Sequence, residues 1–115
     1  MEDNKVEFEV DGVKYGLVFN LNVMKVIQRK YETIQKWGDL VDAKGGEVNL
    51  DALILGLTEA MNENIDIENE TAEIKKPFLT EKQVGRIITK FGLNKITEKL
   101  NQAVVESTKS DEKNA

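Results

Sequence analysis

The chain has 115 residues, the size of one domain, with 40% apolar side chains to build a core. It contains no cysteine and no histidine, and its 16 Lys+Arg stand against 21 Asp+Glu for a net charge of -5. That composition excludes a disulfide framework, thiol or imidazole catalysis and an ordinary zinc site. The net acidity argues against general nucleic-acid binding. Function is therefore to be sought in surfaces, and no enzyme activity is expected.

The start, Met1-Glu2-Asp3-Asn4, lacks the basic opening and apolar run of a signal peptide. The strongly apolar stretches, such as Leu53 to Leu57, fall far short of the roughly 20 residues that span a bilayer. A cytoplasmic protein without a membrane segment is expected.

Val6, Phe8 and Val10 alternate with acids, and Val13, Tyr15, Leu17 and Phe19 alternate again beyond Asp11-Gly12. This is the pattern of two half-buried strands about a type I′ turn. The hairpin, placed at 5–19, pairs Val10 with Val13, Phe8 with Tyr15 and Val6 with Leu17. A lone hairpin is marginal in water, so its apolar face must pack on the helices that follow. Asn20 is a fitting N-cap for a helix over about 21–37, with Phe19 and Met24 as a hydrophobic staple. Met24, Ile27, Tyr31 and Ile34 form its stripe, and Gly38 is placed to end it. A turn-rich loop, Asp42 to Gly46, leads to a second helix over about 49–62, capped by Asn49. Gly56 inside that helix costs about 1 kcal/mol relative to alanine, which points to close approach of another element.

From Asn62 to Lys76 the chain is acidic, with Ile65, Ile67 and Ile74 as its few apolar residues. It is expected to be a loop or to add a short element. Thr80 and Gln83 make a capping box for a third helix over 80–91, with stripe Val84, Ile87, Ile88 and Phe91, and Gly92 at its C-terminal end. Asn94 caps a fourth over 94–106, with Ile96, Leu100, Ala103 and Val104 inward. Residues 107–115 read as a disordered polar tail. The fold class is α+β, mainly α: an antiparallel hairpin packed on a bundle of about four helices, in one domain over 1–106. Aspartate in place of Phe8 or Ile27 would bury an unpaired charge and unfold it.

No chemistry-bearing constellation stands out, and no catalytic, cofactor or metal residue is assigned. Asn62, Asn64, Asp66, Glu68 and Glu70 alternate like calcium ligands, but the segment lacks the glycine such a loop needs. Gly45-Gly46 lacks the lysine and hydroxyl of a phosphate loop. The Asn69-Glu70-Thr71 sequon has no secretory context. Trp37, Phe78 and Phe91, near helix ends, read as core or staple residues. Charge is segregated: Met1 to Leu79 carries 9 bases and 16 acids, whereas Thr80 to Leu100 carries 5 bases and 2 acids. The five are Lys82, Arg86, Lys90, Lys95 and Lys99. They face either an acidic partner, the acidic loop or, in a helix-turn-helix reading, DNA.

The run Asp11-Gly12-Val13-Lys14-Tyr15-Gly16-Leu17-Val18-Phe19-Asn20-Leu21-Asn22-Val23-Met24 resembles the hairpin-to-helix opening of tail assembly chaperones of long-tailed bacteriophages. The later order is similar too: a glycine-rich loop and second helix, then Leu79-Thr80-Glu81-Lys82-Gln83-Val84 opening a third, a final helix and a polar tail. The resemblance covers about residues 5–105 and rests on structural motifs. It implies a protein of the host bacterial cytoplasm that binds the tape measure protein, keeps it soluble and helps recruit tail tube subunits, in a phage or prophage. It also implies the tape measure protein and tail tube protein as partners, with self-association open, no cofactor, no membrane and no nucleic acid. A frameshifted longer form is a family habit that the 107–115 tail would suit. Two alternatives stay open: a small DNA-binding regulator using the basic 80–100 helix pair, and a virion tail structural or completion protein.

Overall fold

The computed structural model describes residues 5–114, with side chains as far as Thr108. Strands β1 (Lys5–Val10) and β2 (Val13–Val18) form an antiparallel hairpin in the anticipated register, Val10 opposite Val13, Phe8 opposite Tyr15 and Val6 opposite Leu17. Asp11 and Gly12 both take positive φ, 52° and 81°, as the type I′ turn demands.

Five helices follow among the described residues: α1 (Leu21–Tyr31), α2 (Ile34–Val41), α3 (Leu50–Asn69), α4 (Glu81–Phe91) and α5 (Leu93–Asn114). The fold class is α+β and mainly α, as the pattern required. The caps at Asn20, Asn49 and Thr80 are present, the last with the full box: Thr80 Oγ1 accepts from Gln83 N, and Thr80 N donates to Gln83 Oε1.

Three of the four expected helices have other bounds. The helix over 21–37 is two helices. Glu32 turns to φ 76°, its N–H still donating to Gln28 O, and Thr33 then caps α2 by accepting from Lys36 N at 3.0 Å. Gly38 lies inside α2 rather than ending α1. The second helix does not stop at 62. It runs to Asn69 because its buried stripe goes on through Met61 and Asn64, with Ile65 and Glu68 half-buried. Much of the acidic segment is therefore helix, with Asp66 exposed and Glu63 and Glu68 half-buried. The last helix starts at Leu93, leaving Gly92 alone between α4 and α5, and Asn94 is inside it rather than its cap. It also continues past 106, since Ile96, Leu100, Ala103 and Ser107 make one buried stripe and the Ser107 hydroxyl donates to Val104 O. The segment assigned to a tail over 107–115 is thus helical through Asn114. The side chains of 109–115, and Ala115 altogether, lie outside the described residues.

The hairpin is held between helices. On its Phe8 and Tyr15 face the Phe8 ring meets Phe91 of α4 at 4.9 Å. On the opposite face Gly16 lies against Asn64 of α3. A second aromatic pair, Phe19 and Trp37 at 5.6 Å, joins the strand end to α2. The indole Nε1 of Trp37 donates to Ala52 O at 2.9 Å, and the ring lies over Gly56. That is the close approach the glycine implied. These groups and Ile27, Leu53, Leu57, Val84, Ile96 and Leu100 belong to one continuous core.

Candidate functional site

The long third helix creates the most distinctive surface of the molecule. Met61, Asn64, Ile65 and Glu68 share one face of α3, at the i, i+3, i+4, i+7 spacing. They floor a mainly apolar cleft of about 240 Å³. One wall is the Val13-Lys14-Tyr15-Gly16 stretch of β2. The other is the Lys76-Pro77 segment with Leu79, from the connector between α3 and α4.

Two asparagines of α3 fix that second wall. Asn62 Nδ2 donates to Leu79 O and its Oδ1 accepts from Leu79 N, at 2.9 and 2.8 Å. Asn69 does the same to Lys76, at 2.9 Å in both directions. Seven residues of helix span about 10.5 Å, and three residues of extended chain span about 10 Å. The carboxamides therefore meet alternate ends of one extended segment. With both backbone groups of Lys76 and Leu79 satisfied in this way, the chain between them stays beside the helix without joining a sheet.

A charge pair and its neighbour close one side. Glu68 bridges Lys5 of β1 at 3.0 Å and Lys76 at 3.1 Å. The hydrogen bond from Lys5, then that from Lys76, holds the Glu68 carboxyl below its ordinary range, and the same bond raises Lys5. Glu68 is thus fixed as a neutralised anion, poorly suited to moving protons. The cleft's lining suits non-covalent binding.

Asn64 is the exception to the satisfied polar groups nearby. Its side chain is 6% exposed and lines the cleft, with all three carboxamide heavy atoms packed flat against the Cα of Gly16. It makes no hydrogen bond among the described residues, and its polar atoms still reach the cleft, whereas Thr58 Oγ1 is the fully covered side-chain atom that lacks a partner.

The residues singled out from sequence are distributed otherwise. Asn64 and Glu68 lie on the cleft face of α3, Asn62 and Asp66 lie off it, and Glu70 caps its end. Among the described residues no group of three acids is placed to hold a metal ion. Of the five bases in 80–100, Lys90 pairs with Asp11 at 2.9 Å and Lys95 lies 5.8 Å from the Phe91 ring. The single residue Gly92 between α4 and α5 is shorter than the three or four residues of a helix-turn-helix turn. Trp37 is core and Phe91 packs on Phe8, but Phe78 is 57% exposed, beside an exposed Pro77 and a half-buried Leu79. Sequence reading missed the cleft because its floor is half polar. The one available signal was the heptad spacing of Asn62 and Asn69.

No protein-family model, curated protein or solved structure matches the chain. No helix among the described residues is long and apolar enough to cross a membrane.

Proposed function

We propose that this chain is a tail assembly chaperone of a long-tailed phage or prophage, a binding protein of the host bacterial cytoplasm that holds the tape measure protein in solution and helps bring tail tube subunits to it. The observation that carries this reading is the hairpin-to-helix opening. The Asp11-Gly12 turn, the Tyr15, Leu17 and Phe19 stretch and the Asn20 cap occur in the order that the resemblance implies. Two further features support it. The cleft over α3 offers apolar surface that a segment of a client chain could bury. Exposed apolar side chains are spread over the surface at Leu21, Leu50, Ile74 and Phe78, while the net charge of -5 keeps such a surface soluble.

The test is co-expression with the tape measure protein of the same phage or prophage. The expected result is a gain in soluble tape measure protein and a complex that survives gel filtration. Insoluble tape measure protein with or without this chain would refute the reading. Mass spectrometry of purified virions separates a chaperone, absent from particles, from a tail completion protein, present in them.

A further inference from the structure

We infer that the cleft over α3 binds an extended segment of a partner chain as an added strand on the open edge of β2, with one apolar side chain in the cleft, a peptide group held by Asn64 and an acidic side chain beside Lys14. This does not depend on the partner's being a tape measure protein.

The edge comes first. Val10 and Val13 close a two-residue turn, so that pair exchanges its hydrogen bonds internally. Alternation then directs the N–H and C=O groups of Lys14 and Gly16 away from β1. Among the described residues no backbone hydrogen bond from another element reaches them. Lys14 to Gly16 are cleft wall; Lys14 is exposed and Gly16 is buried against Asn64, so the edge opens to the cleft at Lys14. Free strand edges of this kind are where extended peptides add.

Asn64 points the same way. The Asn64 residue is 6% exposed, and its carboxamide has no hydrogen-bond partner among the described residues while its polar atoms remain accessible to an occupant of the cleft. Within this same chain, Asn62 and Asn69 each clasp the N–H and C=O of one residue in an extended segment. Asn64 carries the same chemistry, aimed into the cleft and unpartnered. The volume of about 240 Å³ is below the roughly 300 Å³ at which sites for small organic ligands begin, and suits a side chain or two.

Charge selects the occupant. Three charged residues line the cleft: Lys14, Glu68 and Lys76. Glu68 is already shared between Lys5 and Lys76, and Lys14 has no anionic partner among the described residues. The lining is therefore positive in a protein that is negative overall, and an apolar segment carrying a carboxylate complements it.

The probe is a fluorescein-labelled eight-residue peptide of serine and threonine with one central leucine and one glutamate two positions away. Its control carries lysine for glutamate. Binding is read by anisotropy against the full chain. The glutamate peptide is expected to saturate and to bind roughly five- to tenfold tighter than the lysine peptide at low salt. Lys14→Glu, an exposed change that leaves the core alone, should reverse that order. Asn64→Leu should weaken binding by about tenfold, the scale of a lost buried hydrogen bond, with the melting curve followed in parallel to show that the fold persists. N-methylation of alternate peptide nitrogens should abolish binding in one phase and spare it in the other, as a strand pairing by one edge requires. The proposal is overturned if neither peptide saturates, if Lys14→Glu leaves the preference unchanged, or if both N-methylation phases bind alike, as a helical occupant or simple apolar contact would have it.

Discussion

Gly56 shows how one missing atom can set a fold's geometry. A Cβ built there would lie 2.5 Å from Cζ2 of Trp37 and 3.2 Å from its Nε1. The indole cannot easily retreat, because Nε1 is tied to Ala52 O and the ring is stacked with Phe19. Gly56→Ala gains about 1 kcal/mol of helix propensity but overpacks the α2 and α3 contact, which costs about 1–3 kcal/mol. A net loss of up to about 2 kcal/mol in urea denaturation is expected; a more stable variant would show that the ring moves freely. Ile27 is fully buried and Phe8 is 5% exposed, so Ile27→Asp or Phe8→Asp should abolish the cooperative melt followed by circular dichroism. At this scale much was legible. Capping oxygens at Asn20, Asn49 and Thr80, the glycine of the hairpin turn and the compensation at Gly56 follow from residue chemistry and local spacing. Phe78 was not legible, since its exposure depends on clasps made by residues far away in sequence.

Among the elements, the reading failed where polar residues occupy buried positions. The stripe of α3 passes through Asn64 and Glu68, and that of α5 through Ser107, so hydropathy lost the helix in both places while the backbone did not. The break between α1 and α2 escaped for the opposite reason: Tyr31 and Ile34 kept helical phase across it, and only Thr33, a good cap, marked the interruption. The connector after α3 has a checkable anchor. Asn69→Ala removes both bonds to Lys76, leaving that wall of the cleft held chiefly by Asn62 and Leu79. Faster tryptic cleavage after Lys75 is expected, with a stability loss near 1 kcal/mol, the scale of exposed hydrogen bonds. Unchanged cleavage would mean that the clasp does not hold the segment. The contact between α3 and α4 carries an electrostatic strain instead. Burial first, then Glu81 and Glu63, raises the Glu59 carboxyl. A raised acid holds its proton more tightly folded than unfolded, so it weakens the fold as pH climbs from the unfolded value near 4.5 through the raised one. Glu59→Gln should therefore stabilise at pH 7, by less than about 1 kcal/mol for a half-exposed group, and give no advantage below pH 4.5. Paired thermal melts at the two pH values check the sign, and an equal gain at both would assign the effect to packing.

Across the whole molecule, every described element contributes to one core. β1 gives Phe8, β2 Leu17, α1 Val23 and Ile27, α2 Trp37 and Val41, α3 Leu53 and Leu57, α4 Val84 and Ile88, and α5 Ile96 and Leu100. The hairpin has no second sheet to join, so its stability is borrowed from helices on both faces, and those helices lose their apolar cover if it leaves. Such mutual dependence argues for a single cooperative unit, not a hairpin that detaches from a bundle. The chain offers a clean measurement, because Trp37 is its single tryptophan and sits 3% exposed between α2, α3 and the end of β2. Its fluorescence reports the middle of the core, whereas far-ultraviolet circular dichroism is dominated by the helices as a group. The two signals should trace one urea transition with the same midpoint and slope, the slope falling at roughly 1–3 kcal/mol/M. Amide exchange should give Leu17 and Leu57 the same protection against global opening, although one is in a strand and the other in a helix. If fluorescence were lost at lower urea than the helical signal, the contact of Trp37 with Ala52 and Gly56 would belong to a separable unit. The hairpin would then be a docked element, and the open edge of β2 would owe its geometry to α3 alone.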